Sequence, residues 1–112
     1  PSAGMGAVLL RAGRWRRMSI GEVSLTGRLI CADDEQIAIV VEHLPRHTEL
    51  TRAESGCLEF SVVQTDDPRV WQVDERFTAT AAFEAHQRRV SVSEWGRATK
   101  HIERDYILRI AD

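Results

Sequence analysis

Two side chains near the middle of this chain have the type and placement to move protons. Glu75 falls in residues 70–77, where Trp71, Val73, Glu75 and Phe77 alternate with Gln72, Asp74 and Arg76. Successive side chains of a strand point to opposite faces, so this carboxyl group lies on the apolar side. A carboxylate there is costly unless it is paired or protonated. One outcome is a structural ion pair with an inward arginine such as Arg28 or Arg109. The other is a substrate-orienting or proton-accepting group with a shifted pKa. His86 shares one helical face with Ala79, Ala82 and Phe83. Such a residue is either a core histidine bonded to a carbonyl or carboxylate, or a general base. The ordinary histidine pKa of about 6.5 suits removal of a phenolic or C–H proton near neutral pH.

The elements that carry these residues are legible in the patterning. Residues 23–31 alternate as a strand, with Leu25, Gly27, Leu29 and Cys31 on one face and Ser24, Thr26, Arg28 and Ile30 on the other. Asp33 and Gln36 have capping-box spacing, and Ile37, Val40, Val41 and Leu44 form the apolar stripe of the helix that follows. Pro45 predicts a kink, and Gly56 marks the end of that helix. Residues 57–65 and 70–77 read as a hairpin around Asp66-Asp67-Pro68-Arg69. Thr78 is placed to cap a second helix, and Ser91 with Glu94 to cap a short third one holding Trp95 and Ala98. Residues 102–110 form the last strand, with Tyr106, Leu108 and Ile110 opposite Asp105, Ile107 and Arg109. The order is β-α-β-β-α-β, an α+β ferredoxin-like fold with one antiparallel sheet and both helices on one face. The other face mixes apolar and charged side chains. A second copy packing its sheet there would close a dimeric α/β barrel, so a homodimer is expected.

Phe60, Trp71, Phe77 and Trp95 could wall a pocket for a flat aromatic substrate, and Arg28 and Arg109 could neutralise an anionic oxygen on it. Each of these also has an ordinary structural use, the aromatics in the core and the arginines paired or solvated. His43 and His47 have the i, i+4 spacing of metal ligands, but no companion carboxylate motif goes with them and Pro45 lies between them, so no metal site is expected.

At 112 residues the chain is one domain by size. A formal net charge of −2 gives no electrostatic reason to expect nucleic acid or an anionic membrane. No apolar run approaches the roughly 20 residues that span a bilayer. Cys31 and Cys57 are too few for a disulfide framework and read as small packed thiols, which fits a reducing, cytoplasmic setting. Residues 1–22 differ from the rest: Arg11, Arg14, Arg16 and Arg17 surround Trp15 behind the short apolar patch Val8-Leu9-Leu10. They read as an ordered arm ahead of a domain over residues 23–112.

The string Glu54-Ser55-Gly56-Cys57-Leu58-Glu59-Phe60, then Asp67-Pro68, Glu75-Arg76-Phe77 and Ala82-Phe83-Glu84-Ala85-His86, resembles the antibiotic biosynthesis monooxygenase family over about residues 23–110. The resemblance implies a dimeric α/β barrel and, for the quinol and anthrone oxygenases among its members, oxidation of an electron-rich aromatic by O₂ without a cofactor. His86 matches the family's helix histidine. The haem-degrading relatives use an asparagine, a tryptophan and a histidine. This chain has no asparagine, and Phe77 stands where the tryptophan is expected. A haem-degrading site is therefore not expected. On these grounds the expected activity is a monooxygenase with His86 and Glu75 as its catalytic pair. Two alternatives stay open: a non-catalytic dimer that binds an aromatic metabolite, and an isomerase or lyase on the same scaffold.

Overall fold

The computed structural model describes residues 21–111. Apart from Gly21 and Glu22, the arm expected over residues 1–22 lies outside that range. The elements are β1 (Val23–Ile30), α1 (Asp34–Arg52), β2 (Cys57–Gln64), β3 (Val70–Phe77), α2 (Thr80–Ser91), α3 (Glu94–Ala98) and β4 (Glu103–Ile110). The strands form one antiparallel sheet in the order β2-β3-β1-β4, which is the expected ferredoxin-like topology.

Strand β1 lies between β3 and β4, with Leu25 opposite both Glu75 and Leu108. Gly27 lets β4 come close: its φ is +155°, and a Cβ there would sit 2.1 Å from the Asp105 carbonyl oxygen. One face of the sheet is covered by the helices. Val23, Leu29, Val73 and Phe77 point into that layer and are almost fully buried with Val40 and Phe83. The other face is open. There Thr26 Oγ1 donates to Asp74 Oδ1 at 2.7 Å, while Val63 and Ile107 stand 59% and 44% exposed.

Helix α1 starts as expected. Asp33 Oδ1 accepts from the Gln36 backbone at 3.0 Å, and Gln36 Oε1 accepts from the Ala32 backbone at 2.7 Å. The helix runs unbroken through Pro45 to Arg52. Its inward stripe differs from the expected one: Val41 is 57% exposed, and the buried residues are Val40, His47 and Thr51. With Leu44 partly buried, positions 40, 44, 47 and 51 follow the helical period past the proline, and Val41 lies about 100° off it. Thr78 does not cap α2. Ala79 holds that position without a side-chain bond, because Thr78 ends the strand with its backbone N–H on the Gly56 carbonyl at 2.9 Å. Ser93, rather than Ser91, caps α3, accepting from the Gly96 backbone at 3.0 Å. Ser91 is the last residue of α2, with its hydroxyl on the Arg88 carbonyl. Both cysteines are free, and burial raises both thiol pKa values. No described helix is long and apolar enough to cross a membrane.

Candidate active site

His86 is held by a part of the chain far from it in sequence. The link between α1 and β2 is tied into turns through Glu54 N–H to the Thr51 carbonyl and Cys57 N–H to the Glu54 carbonyl. Helix α2 presses on this link at Gly56, where a Cβ would lie 2.3 Å from Ala82 Cβ. That close approach brings Glu54 against α2. Glu54 Oε1 lies 2.9 Å from His86 Nδ1, and Arg89 Nε, three residues further along α2, donates to Glu54 Oε2 at 2.5 Å. Arg89 Nη2 also donates to Thr51 Oγ1 at 3.0 Å. A carboxylate that accepts from Arg89 can only accept from His86, so Nδ1 carries the hydrogen and Nε2 the lone pair.

The other ring nitrogen looks toward Glu75. His86 Nε2 lies 3.8 Å from Glu75 Oε1, too long for a direct hydrogen bond but close enough for one substrate hydroxyl to touch both. Both residues are buried, at 3% and 8% exposure. Burial, reinforced by the charge of Glu54 and opposed by Arg104, pushes the Glu75 pKa up to about 7. Burial also lowers the His86 pKa. The charge and hydrogen bond of Glu54 work against that fall, and Arg89 adds to it. At neutral pH the contact is therefore a neutral imidazole beside a carboxyl group near its titration point, and not an ion pair.

These two groups border a cavity of about 340 Å³ between the sheet and the helices. Leu25, Val62 and Val73 supply apolar wall from the sheet, and Phe60 and Trp95 supply aromatic wall. His47 lines it too. Its ring stacks on Trp95 at 4.7 Å and 3°, meets the edge of Phe60 at 5.2 Å, and lies 6.0 Å from His86. Burial, with repulsion from His86 once that ring is protonated and from Arg89 and Arg104, pushes its pKa down to about 3. Tyr106 lies on the β4 side, its phenol pushed up to about 12, mainly by burial.

The fold thus gathers Glu75, His86, Phe60 and Trp95 around one space, and leaves the other expected pocket residues out of it. Phe77 is fully buried behind the His86 ring at 4.9 Å. Trp71 is buried further along β3, its indole beside the Cys31 thiol. Arg28 and Arg109 are exposed on the open face, opposite Gln72 and Ser24 respectively. The ion pair expected between Glu75 and one of them does not form, because Leu25 faces Glu75 and strand alternation turns Arg28 away. The cation that acts on Glu75 is Arg104, anchored to the Thr99 carbonyl at 2.7 Å and to Thr99 Oγ1 at 2.8 Å. Glu54 and Arg89 have no local signal as site residues, since their meeting depends on packing at Gly56. His47 does have one: it continues the apolar stripe of α1. The histidine pair of α1 divides, with His47 buried and His43 outside the inner cavity. No group of three or more candidate metal ligands occurs among the described residues.

A family profile described as antibiotic biosynthesis monooxygenase matches residues 28–98. Among solved structures, a conserved protein of Methanosarcina mazei superposes with a TM-score of 0.66 at 14% identity, covering 86% of this chain and 98% of that one. A Pseudomonas aeruginosa protein gives 0.61 at 20% identity, covering 82% and 94%. A proposed antibiotic biosynthesis monooxygenase of Nitrosomonas europaea gives 0.66 at 17% identity, covering 79% and 88%. At these identities the likeness is one of fold. No protein with a curated function gives a significant sequence match.

Proposed function

Because the chain belongs to the antibiotic biosynthesis monooxygenase family, we propose that the cavity bordered by His86 and Glu75 oxidises an electron-rich aromatic, quinol- or anthrone-like, with O₂ and no added cofactor. The observation that carries this reading is the array Glu54–His86–Glu75 on the wall of an aromatic-lined cavity. Glu54 fixes the tautomer, so His86 Nε2 meets the substrate as a base. It takes the phenolic proton, or the C–H proton of an anthrone, and leaves an electron-rich anion. The anion passes one electron to O₂, and the resulting substrate radical and superoxide combine at carbon to form a peroxide. The peroxide O–O bond then breaks. One oxygen stays in the product, and the other leaves as water after taking up protons. The substrate loses four electrons and O₂ gains four. Glu75, its pKa pushed up to about 7 by burial, returns a proton to the departing oxygen. The apolar wall excludes water from the anion, and the aromatic rings orient the flat substrate.

The family habit and the open sheet face together support a homodimer, with a second copy covering the face that carries Val63 and Ile107.

The test is oxygen uptake by metal-free protein supplied with hydroquinones and anthrones. Wild type should consume O₂ and release an oxygenated product, while His86→Ala should lose the activity. Equal slow uptake by both would sink the oxygenase reading. Turnover that persists without oxygen would assign the site to an isomerase or lyase instead.

A further inference from the structure

A second cavity, of about 380 Å³, shares a wall with the first. His47 and Trp95 line both, so their stacked rings form the partition. On its outer side the wall includes His43, Arg46 and Leu50 from α1, with Arg89, Val92 and Glu94 from the α2–α3 corner. Arg46 and Arg89 line the space, each already paired with a carboxylate, Glu49 and Glu54, and Glu94 adds a third. Arg89 commits Nε to Glu54 and Nη2 to Thr51, but its buried Nη1 has no hydrogen-bond partner among the described residues. A buried guanidinium donor in this state calls for an acceptor, and an anionic one binds it most strongly. Arg46 stands at the rim in a pair with Glu49, with the two side chains 66% and 71% exposed. Such an exposed pair holds weakly and can be exchanged for another anion. Leu50, Val92 and the Trp95 ring provide apolar surface beside the charges.

We propose that this outer cavity binds a small organic anion, a carboxylate on an apolar or aromatic body. Arg89 Nη1 and Arg46 take the carboxylate, and Leu50, Val92 and Trp95 pack against the body. The site is separate from the inner cavity but not independent of it, because Arg89 also holds Glu54, which holds His86. An anion on Arg89 competes with Glu54 for the same guanidinium. Occupancy outside therefore alters the Glu54–His86 hydrogen bond inside, and by linkage inner ligands alter outer affinity by the same factor.

The experiment titrates benzoate into the full chain labelled with ¹⁵N-histidine, with benzyl alcohol as the uncharged comparison. Benzoate should saturate one site, and benzyl alcohol should bind at least about 10-fold more weakly. Arg46→Glu should weaken benzoate by about 10-fold and Glu94→Gln should tighten it by about 3-fold. Both positions are exposed, and circular dichroism will verify the fold. At saturation the imidazole ¹⁵N resonances of His86 should shift. Absence of saturable binding, equal affinity for the two probes, or indifference to both substitutions overturns the site. So do contacts from benzoate to Phe60 and Val62, which would place it in the inner cavity. Saturation with the His86 resonances unmoved overturns the linkage between the two cavities.

Discussion

Glu54 and His86 are separated by 32 positions in sequence, yet Oε1 of one lies 2.9 Å from Nδ1 of the other. The same carboxylate also neutralises Arg89, so it orients the imidazole and compensates a partly buried cation at once. Glu54→Gln separates these roles. The amide presents a donor as readily as an acceptor to Nδ1, so the imidazole is no longer held with its lone pair toward Glu75. Turnover should fall by roughly 100-fold with little change in KM. Arg89 loses its counter-charge, so stability should drop by about 2 kcal/mol, a modest figure because the guanidinium keeps some solvent. Steady-state oxygen uptake and urea melts on the same variant measure both. Unchanged turnover would remove Glu54 from the site.

Glu75 ties stability to pH. Its folded pKa of about 7 lies above the ordinary 4.5, so between these values the folded chain keeps a proton that the unfolded chain has lost. Stability must then fall as pH rises through that window and level off above it. Glu75→Gln lacks this titration. Its stability advantage over wild type should grow by about 3 kcal/mol between pH 4 and pH 8. Urea melts across that range should show the divergence, and parallel curves would mean that Glu75 ionises normally. In turnover, the wild-type rate should decline above about pH 7 as Glu75 loses the proton it returns.

The fold was readable because each strand and helix shows its own period. Trp71, Val73, Glu75 and Phe77 alternate, the Asp67-Pro68 turn closes the hairpin, and Asp33 with Gln36 opens α1. Glu75 and His86 were legible for the same reason, as polar residues in apolar phases. The rest of the site depends on contacts that periodicity does not carry. Glu54 reaches His86 only because Gly56 admits Ala82, and Arg104 replaces Arg28 and Arg109 near Glu75 because β4 pairs with β1 in one register. For His47 the i, i+4 spacing with His43 points to a metal pair and hides its place in the apolar stripe. Extending the α1 stripe from Val40 through Leu44 would have placed it in the core.

His47 gives a second pH test with the opposite sign. Its folded pKa of about 3 lies below the ordinary 6.5, so under pH 6.5 the unfolded chain binds the proton that the folded chain refuses. Its contribution to stability therefore worsens as pH falls from 6.5 toward 3. His47→Phe keeps the stack on Trp95 and the contact with Phe60 and removes a buried Nδ1 that has no hydrogen-bond partner among the described residues. The variant should gain stability over wild type at pH 5 by about 2 kcal/mol more than at pH 8. Paired thermal melts at the two pH values decide it. An advantage equal at both would mean that packing alone, and not proton exclusion, governs this position.

The open sheet face supplies a test of the proposed dimer. Ile107 and Val63 are exposed there beside polar neighbours, and Ile107 sits opposite Thr26, whose hydroxyl is tied to Asp74. In a lone chain a lysine at position 107 can carry its ammonium into water, so Ile107→Lys should change stability by less than about 0.5 kcal/mol at high dilution. In a sheet-to-sheet dimer the same lysine is carried into the interface, where an unpaired charge is strongly unfavourable. Sedimentation velocity should find wild type as a dimer and the variant as a monomer, or a dimer weakened by at least about 100-fold. The inner cavity is built within one chain, on the face of the sheet away from this contact. The monomeric variant should therefore still bind the aromatic substrate. If wild type sediments as a monomer throughout, or the lysine leaves the dimer intact, the partner does not sit on this face.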